Sequence, residues 1–324
     1  MAVNSIDMKS NPKMKWLKNI IVLVAFYVIM QVLISLNIIN DYYQVTIAMI
    51  CINIILAVSL NLITGFTGQF SLGHAGFMSI GAYTCALFTL NMSQQYSYFI
   101  GIFAGAVMAA IIGALIGIPT LRLKGDYLAI ATLGLSEIIR IIILNFEFTG
   151  GASGLSDIPQ YTNWTWLFVF TAGTVIIINN FIRSSHGRAC ISIREDEIAA
   201  EASGINTTKY KVLAFVIGAF FAGIAGALYS SYFYFVKPDI FGFLKSIDIL
   251  VIVVLGGMGS ISGSILAAVL LAIISAYLQA FPDLRMVIYS ILLVIIMIFR
   301  PQGLMGTKEL SLNSFLKKRP AKVE

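Results

Sequence analysis

Long apolar stretches follow one another along most of the chain, and short polar segments separate them. About 20 apolar residues in a helix are enough to cross the hydrocarbon core of a bilayer. The pattern therefore predicts ten membrane-spanning helices. Their ranges are 20–39, 44–63, 77–90, 98–118, 127–145, 164–182, 212–236, 246–255, 264–281 and 286–299. The third, eighth and tenth are short, which leaves open that two of them form one re-entrant hairpin.

Composition favours a membrane protein over a soluble one. Of the 324 residues, 59% are hydrophobic and only 11% are charged, whereas soluble domains carry about 25% charged residues. The predicted fold class is all-α, a polytopic membrane helix bundle of about ten spans. The apolar stretches run end to end, so residues 1–324 are predicted to form a single transmembrane domain.

The basic residues indicate which side of the membrane each loop faces. With a cytoplasmic N-terminus, alternating spans place 17 of the 21 lysines and arginines on the cytoplasmic side, as the positive-inside rule requires. The tail at 1–18, the loop at 183–211 and the tail at 300–324 are then cytoplasmic. The net charge of +6 does not indicate nucleic acid binding, because these residues lie between apolar spans and at the chain ends.

Two glycine-rich segments interrupt the apolar pattern, at 65–76 and 256–263. Both read G-x-x-G-x-x-S, which suggests an internal repeat, and glycine disfavours a helix interior by about 1 kcal/mol. The sequence therefore predicts two broken helices, which either line a translocation pathway or act as structural elbows. The candidate residues are Gly65, Gly68, Gln69, Ser71, His74, Gly256, Gly259 and Ser262. For His74 alone, a hydrogen-bonded packing role is favoured over a ligand role.

The fourth predicted span has a small residue at every fourth position. These are Gly101, Gly105, Ala109, Gly113 and Gly117. Such a stripe lets two membrane helices approach closely, so it predicts tight helix packing.

Two opposite charges, Glu137 and Arg140, lie three residues apart on the fifth predicted span and share one helix face. Charges within a membrane are costly and usually face the bundle interior. A structural ion pair is the favoured interpretation. A coupling-ion site at Glu137 is the alternative.

The longest predicted cytoplasmic loop contains a short helix-forming segment rich in alanine and charge. Its residues of interest are Arg194, Glu195, Asp196, Glu197, Ala199, Ala200, Glu201, Ala202 and Gly204. Gly204 is suited to end this helix. The segment either docks on a soluble partner or forms an ordinary solvated connector.

Motifs for catalysis, metal binding or nucleotide binding are missing from the sequence. It contains no Gly-Lys dipeptide, and therefore no G-x-x-x-x-G-K-[ST] phosphate loop, and no G-x-S-x-G or H-E-x-x-H motif. Two histidines and three scattered cysteines predict neither a metal site nor a disulfide framework. The chain is therefore not expected to be an enzyme. If ATP drives its function, another chain must bind the nucleotide.

Several segments together resemble the branched-chain amino-acid ABC permeases. They are residues 61–77 (NLITGFTGQFSLGHAGF), 125–140 (GDYLAIATLGLSEIIR), 149–155 (TGGASGL), 195–204 and 221–263. The resemblance covers residues 44–305, and it is strongest to the M-type permease subunits of the Leu/Ile/Val importers. It implies a type II importer fold, shared with vitamin B12 and ribose permeases.

The resemblance also implies partners and a location. These are a second permease of the H type, two ATPase subunits that bind ATP and Mg²⁺, and an extracytoplasmic substrate-binding protein. The chain would lie in the bacterial cytoplasmic (inner) membrane, in contact with lipid, with both termini cytoplasmic. The segment around 193–204 would be the coupling helix that docks on an ATPase.

Three alternatives remain open from the sequence. Urea and short-amide permeases look similar, so the substrate is not fixed. An ion-coupled secondary carrier would use Glu137 or Asp248. A membrane enzyme is disfavoured, because the sequence has no paired-carboxylate, metal or nucleophile constellation.

Overall fold

The computed structural model describes most of the chain. The described residues are 12–92, 94–123, 125–278, 281, 287–288, 290–291, 294–295, 298–300 and 302–306. Residues 1–11 and 307–324 of the predicted tails lie outside this set, as does about half of the tenth predicted span.

Over the described residues the chain forms eleven α-helices. The first six are α1 (Pro12–Ser35), α2 (Asp41–Asn61), α3 (His74–Asn91), α4 (Gln95–Thr120), α5 (Asp126–Asn145) and α6 (Trp164–Arg183). The others are α7 (Ser185–Glu195), α8 (Glu197–Ala202), α9 (Thr207–Phe233), α10 (Phe243–Gly256) and α11 (Ile261–Tyr277). Shorter turns are a π-helical turn at Leu62–Phe66 and 3-10 turns at Glu147–Thr149, Gly151–Ser153 and Pro238–Phe241. The predicted all-α class is confirmed.

Five continuous helical stretches are long and apolar enough to cross a membrane. They are Asp41–Phe66, Gln95–Thr120, Asp126–Asn145, Trp164–Arg183 and Thr207–Phe233. Two shorter apolar helices, Ile21–Ser35 and Ile261–Tyr277, correspond to the first and ninth predicted spans. The exact number of ten crossings stays a prediction.

The helices differ from the predicted spans at several ends. α3 begins at His74 and α10 at Phe243, each three residues before the predicted start. α1 ends earlier than predicted, at Ser35, and Asn37 adopts a left-handed backbone with φ 52°. Hydropathy marks the apolar run, whereas backbone geometry sets where the helix ends.

The chain divides into two compact units, Met1–Ile47 and Ala48–Glu324. In the first unit, α1 exposes apolar side chains around its surface, among them Ile21, Val24, Val28 and Ile29. A helix with exposed apolar residues on all sides is typical of contact with lipid.

The second unit is built around close packing of α3, α4 and α9. Gly81 of α3 lies so near Gly223 of α9 that a Cβ atom on Gly81 would collide with the Gly223 backbone. On α4, a Cβ on Gly105 would come within 2.8 Å of the Gly81 carbonyl oxygen, and one on Gly113 within 2.8 Å of Ala219 Cβ. The predicted small-residue stripe of α4 is therefore confirmed as a packing surface, since all five of its members are buried.

Candidate functional site

The first helix break follows α2. The chain makes the π-helical turn Leu62–Phe66, continues without helix, and resumes helix at His74. Gly68 has φ +74°, a left-handed conformation that favours glycine. Thr67 Oγ1 donates to the Leu62 carbonyl oxygen at 2.9 Å, and the Gln69 N–H donates to the Ile63 carbonyl oxygen at 3.1 Å. These bonds partly replace the helical ones that the break removes.

The second break separates α10 from α11. Gly257 and Gly259 have φ of +113° and +89°, and Ser260 Oγ accepts from the Gly263 N–H at 3.1 Å as the N-cap of α11. The carbonyl oxygens of Leu255 and Gly256 accept bonds of 2.9 and 3.2 Å from the N–H groups of residues 304 and 305. Ser260 Oγ and Ser262 Oγ lie 3.3 Å apart. Both glycine-rich segments are therefore helix breaks, as predicted.

The side chain of Asn61 joins the two breaks. Its Oδ1 accepts from the Gly259 N–H at 2.8 Å, and its Nδ2 lies 2.9 Å from the Ser260 carbonyl oxygen and 2.8 Å from Ser264 Oγ. A Cβ on Gly65 would collide with Asn61 Oδ1 and the Gly259 nitrogen. The repeated glycine motifs therefore meet at one buried junction. Sequence reasoning did not single out Asn61, although an asparagine near the end of a mostly apolar span was an available signal.

Three polar side chains near the first break are buried with unsatisfied atoms. Within the described residues, Gln69 Oε1 and Nε2, His74 Nδ1 and Ser136 Oγ have no hydrogen-bond partner. His74 Nε2 lies 2.8 Å from Ser59 Oγ, so the predicted packing contact of this histidine is present on one side of its ring. Buried polar atoms usually have partners, so these four are open to contact with water, a ligand or another chain. Ser71 Oγ, in contrast, accepts from the Gly73 N–H at 3.4 Å.

The loop at 183–211 contains two helices, α7 and α8, where the sequence predicted one short helix. The helix is interrupted at Asp196. The Oδ1 of this residue caps α8 by accepting hydrogen bonds from the N–H groups of Ile198 and Ala199 at 2.9 and 3.0 Å. Gly204, with φ +83°, follows the end of α8 and confirms the predicted stop.

The predicted contact residues of α8 face two directions. Ala200 is buried, and Glu197 forms a 2.7 Å ion pair with Lys211 of α9, so both support the position of the helix. The exposed residues of α8 are Ile198, Ala199, Glu201 and Ala202, and the exposed Glu195 and Asp196 precede the helix. Ile198 is 77% exposed and is a large apolar side chain on a segment that is otherwise mostly polar or alanine.

Arg194, at the end of α7, reaches from this loop to the helix breaks. Its Nη1 donates to the Gly65 carbonyl oxygen at 2.8 Å, and its Nε donates to Glu195 Oε1 at 3.1 Å. The structure thus brings together the 183–211 loop and the two helix breaks, which the sequence analysis considered as separate features.

The predicted charge pair on α5 is present, and it has further partners. Arg140 Nε contacts Glu137 Oε2 at 2.7 Å, and Arg140 Nη1 lies 3.5 Å from Asp239 Oδ1. Glu137 Oε1 accepts from the Phe243 N–H at 3.1 Å, which places a carboxylate at the start of α10. A negative group is stabilising there because the first N–H groups of a helix lack partners. The network connects α5 with the segment that leads into α10.

Comparison with known proteins identifies the family. A family profile described as "Branched-chain amino acid transport system / permease component" matches residues 42–297, most of the chain. The chain belongs to this family. The resemblance seen in the sequence is thereby confirmed.

Individual relatives of the permease family agree with the profile. The chain is 38% identical over 289 residues to "High-affinity branched-chain amino acid transport system permease protein LivM" of Escherichia coli, covering 78% of this chain and 68% of the relative. The protein of the same name from Salmonella typhimurium is 39% identical over 79% of this chain and 68% of its own length. The LivH permease of Salmonella typhimurium is 26% identical over 79% of this chain and 91% of the relative. No solved structure matches the chain.

Membership of the permease family bears on the chemistry of the chain. A permease component carries out transport and is not itself an enzyme. Within the part of the chain that the structure describes, histidine, cysteine, aspartate and glutamate form no group of three that could hold a metal ion.

Proposed function

We propose that this chain is a permease subunit of a bacterial ABC importer for leucine, isoleucine and valine. Its similarity to the two LivM permeases over most of its length carries the proposal. Because the sequence has no phosphate loop, ATP and Mg²⁺ bind to partner ATPase subunits. Hydrolysis there switches the permease between outward-open and inward-open states.

The proposed assembly has four kinds of component. Besides this chain it contains a second permease of the H type, two ATPase subunits and an extracytoplasmic substrate-binding protein. The existence of LivH relatives with lower similarity to this chain supports two distinct permeases in one system. The distribution of lysines and arginines supports an orientation in the cytoplasmic membrane with both termini in the cytoplasm.

We further propose that α8 docks on an ATPase subunit. The helix is fixed before docking by the Asp196 cap and the Glu197–Lys211 ion pair. Its exposed side offers Ile198 among alanines and carboxylates. A preorganised helix with one exposed apolar side chain loses little conformational freedom on binding, which favours affinity.

The translocation pathway is proposed to pass along the first helix break. Gln69, His74 and Ser136 are buried there with unsatisfied polar atoms. Irregular backbone at membrane depth is tolerated where it is enclosed by protein or lines a water-filled cavity. The ammonium and carboxylate groups of an amino acid are suitable partners for such atoms.

Two other functions are compared with amino-acid import by an ABC system. A urea or short-amide permease would share the fold, so only substrate binding separates it from an amino-acid permease. An ion-coupled carrier would use Glu137 or Asp248. Both oxygens of Glu137 are already occupied by Arg140 and the Phe243 N–H, which favours a structural role for Glu137.

Uptake by the reconstituted complex tests the proposal. The chain is co-expressed with its partner permease and ATPases, placed in proteoliposomes, and supplied with the substrate-binding protein and radiolabelled leucine. We expect uptake that requires ATP on the ATPase side, competition by isoleucine and valine, and no competition by urea or acetamide. Competition by urea would assign the chain to the amide importers. Gradient-driven uptake by this chain alone would identify a secondary carrier.

A further inference from the structure

Arg194 contacts both helix breaks with one side chain. Its Nη1 donates to the carbonyl oxygen of Gly65, within the π-helical turn of the first break, at 2.8 Å. The same nitrogen lies against the second break, since a Cβ on Gly259 would come within 2.7 Å of it. With 27% of its side chain exposed, Arg194 is more enclosed than Glu195, its ion-pair partner, which is 67% exposed.

The glycines of both breaks leave the space that this arginine occupies. A Cβ on Gly68 would lie 3.1 Å from Arg194 Cγ, and Gly68 and Gly259 both have positive φ. Asn61 links the two breaks beside the same point through its bond with the Gly259 N–H. The glycines therefore serve the approach of Arg194 as well as the interruption of the helices.

Arg194 is also close to α8 in the sequence. Only Glu195 and Asp196 separate it from the first residue of α8, and Asp196 is the residue that caps that helix. Arg194 is therefore three residues from the start of the helix that we propose as the docking site. Arg194 also lines a half-open pocket of about 270 Å³, together with Phe66, Gly259 and Ile261.

We propose that Arg194 is a positioning residue for transport, which connects the ATPase-docking helix α8 to both helix breaks so that the breaks shift when α8 is displaced. The inference rests on the proposed function, and it adds the residue through which the docking site acts on the pathway. Packed side chains and hydrogen-bond networks with two arrangements are one physical route by which distant sites are coupled.

The shape of arginine suits this role better than that of lysine. The planar guanidinium group bonds Gly65 through Nη1 and Glu195 through Nε at the same time. A lysine has one terminal nitrogen on a flexible stem, so it keeps the charge but cannot reproduce this fixed pair of directions. The Arg194→Lys variant should therefore lie between the wild type and Arg194→Ala.

The experiment measures ATP hydrolysis and leucine uptake together in proteoliposomes that contain the full transport complex. Arg194→Ala is expected to assemble and to hydrolyse ATP within about twofold of the wild-type rate, while leucine taken up per ATP falls about fivefold or more. Arg194→Lys should show a smaller fall in the same ratio. Arg188→Ala is the matched control, because Arg188 lies on the same helix and, among the described residues, its Nη1 donates to the Arg183 carbonyl oxygen within the loop.

Each outcome decides the inference. If Arg194→Ala assembles and its ratio of uptake to hydrolysis is unchanged, the inference is overturned. If Arg194→Ala fails to assemble, the inference is overturned when Arg194→Lys keeps the wild-type ratio. If Arg194→Ala does not assemble, a lowered ratio in Arg194→Lys supports the inference. Absence of ATP-driven leucine uptake in the wild type would instead refute the proposed function itself.

Discussion

At the scale of single residues, Asn61 is the side chain that ties the two helix breaks together. It is fully buried and exchanges hydrogen bonds with Gly259, Ser260 and Ser264. In a buried, apolar setting such bonds matter chiefly because an unsatisfied N–H or carbonyl group is costly. The residue therefore fixes the local geometry on which Gly65 and Gly259 depend.

Replacing Asn61 by alanine is expected to destabilise the protein. The substitution leaves the Gly259 N–H unsatisfied, so we expect a loss of about 1–3 kcal/mol. Thermal unfolding of the purified protein in detergent measures the change. Asn53→Ala is the control on the same helix, since Asn53 is half-buried and its Oδ1 accepts from Lys245 Nζ at 3.3 Å. Equal shifts in the two variants would contradict the special role of Asn61.

At the scale of helices, the contact between α3 and α9 depends on the absence of side chains. We expect Gly81→Ala to destabilise the protein by about 1–3 kcal/mol, because the added Cβ collides with the Gly223 backbone and the helices must separate. Gly173→Ala on α6 is the matched control, as a Cβ there meets no atom within 4 Å. Thermal unfolding of the two variants gives the comparison, and a Gly81→Ala protein as stable as the control would disprove the close contact.

The exposed face of α8 gives a second prediction at this scale. Ile198→Asp should weaken binding of the ATPase subunits about tenfold or more, because it places a charge in the centre of the proposed contact. Thr208→Asp serves as the control: Thr208 is also exposed, but it lies in the first turn of α9, where an acidic side chain is well tolerated. Co-purification of the ATPase subunits with the tagged permease measures both. Retained binding in Ile198→Asp would count against docking through this face.

At the scale of the whole molecule, the orientation in the membrane can be tested with introduced cysteines. The native Cys51, Cys85 and Cys190 are all buried. Burial also raises the pKa of the Cys190 thiol, although a hydrogen bond with Thr67 acts in the opposite direction. Since the thiolate is the reactive form, this keeps Cys190 protonated and unreactive at neutral pH. Background labelling of the native chain should therefore be low.

We expect Lys209→Cys to react with a membrane-impermeant maleimide only after the cells are opened. Gln160→Cys, exposed in the segment between α5 and α6, should react in intact cells. The expectation follows from the bias of basic residues toward the cytoplasmic side. Labelling of Lys209→Cys from outside would overturn the proposed topology and the proposed ATPase contact with it.

The sequence by itself determined the class of protein, the two helix breaks and the charge pair on α5. These features depend on residues close together in the chain. Apolar runs of membrane length predict spans, glycines weaken helices locally, and charges three residues apart share a helix face. The stop of α8 at Gly204 follows for the same reason.

Only the tertiary structure showed that the breaks and the 183–211 loop form one junction. Asn61 and Gly259 are 198 residues apart, and Arg194 and Gly65 are 129 apart. The tertiary structure likewise showed that Ala200 and Glu197 face the protein, and that Glu137 accepts a hydrogen bond from the first residue of α10. Local periodicity carries no information about which distant helices pack together, because that choice depends on the summed contacts of the whole bundle.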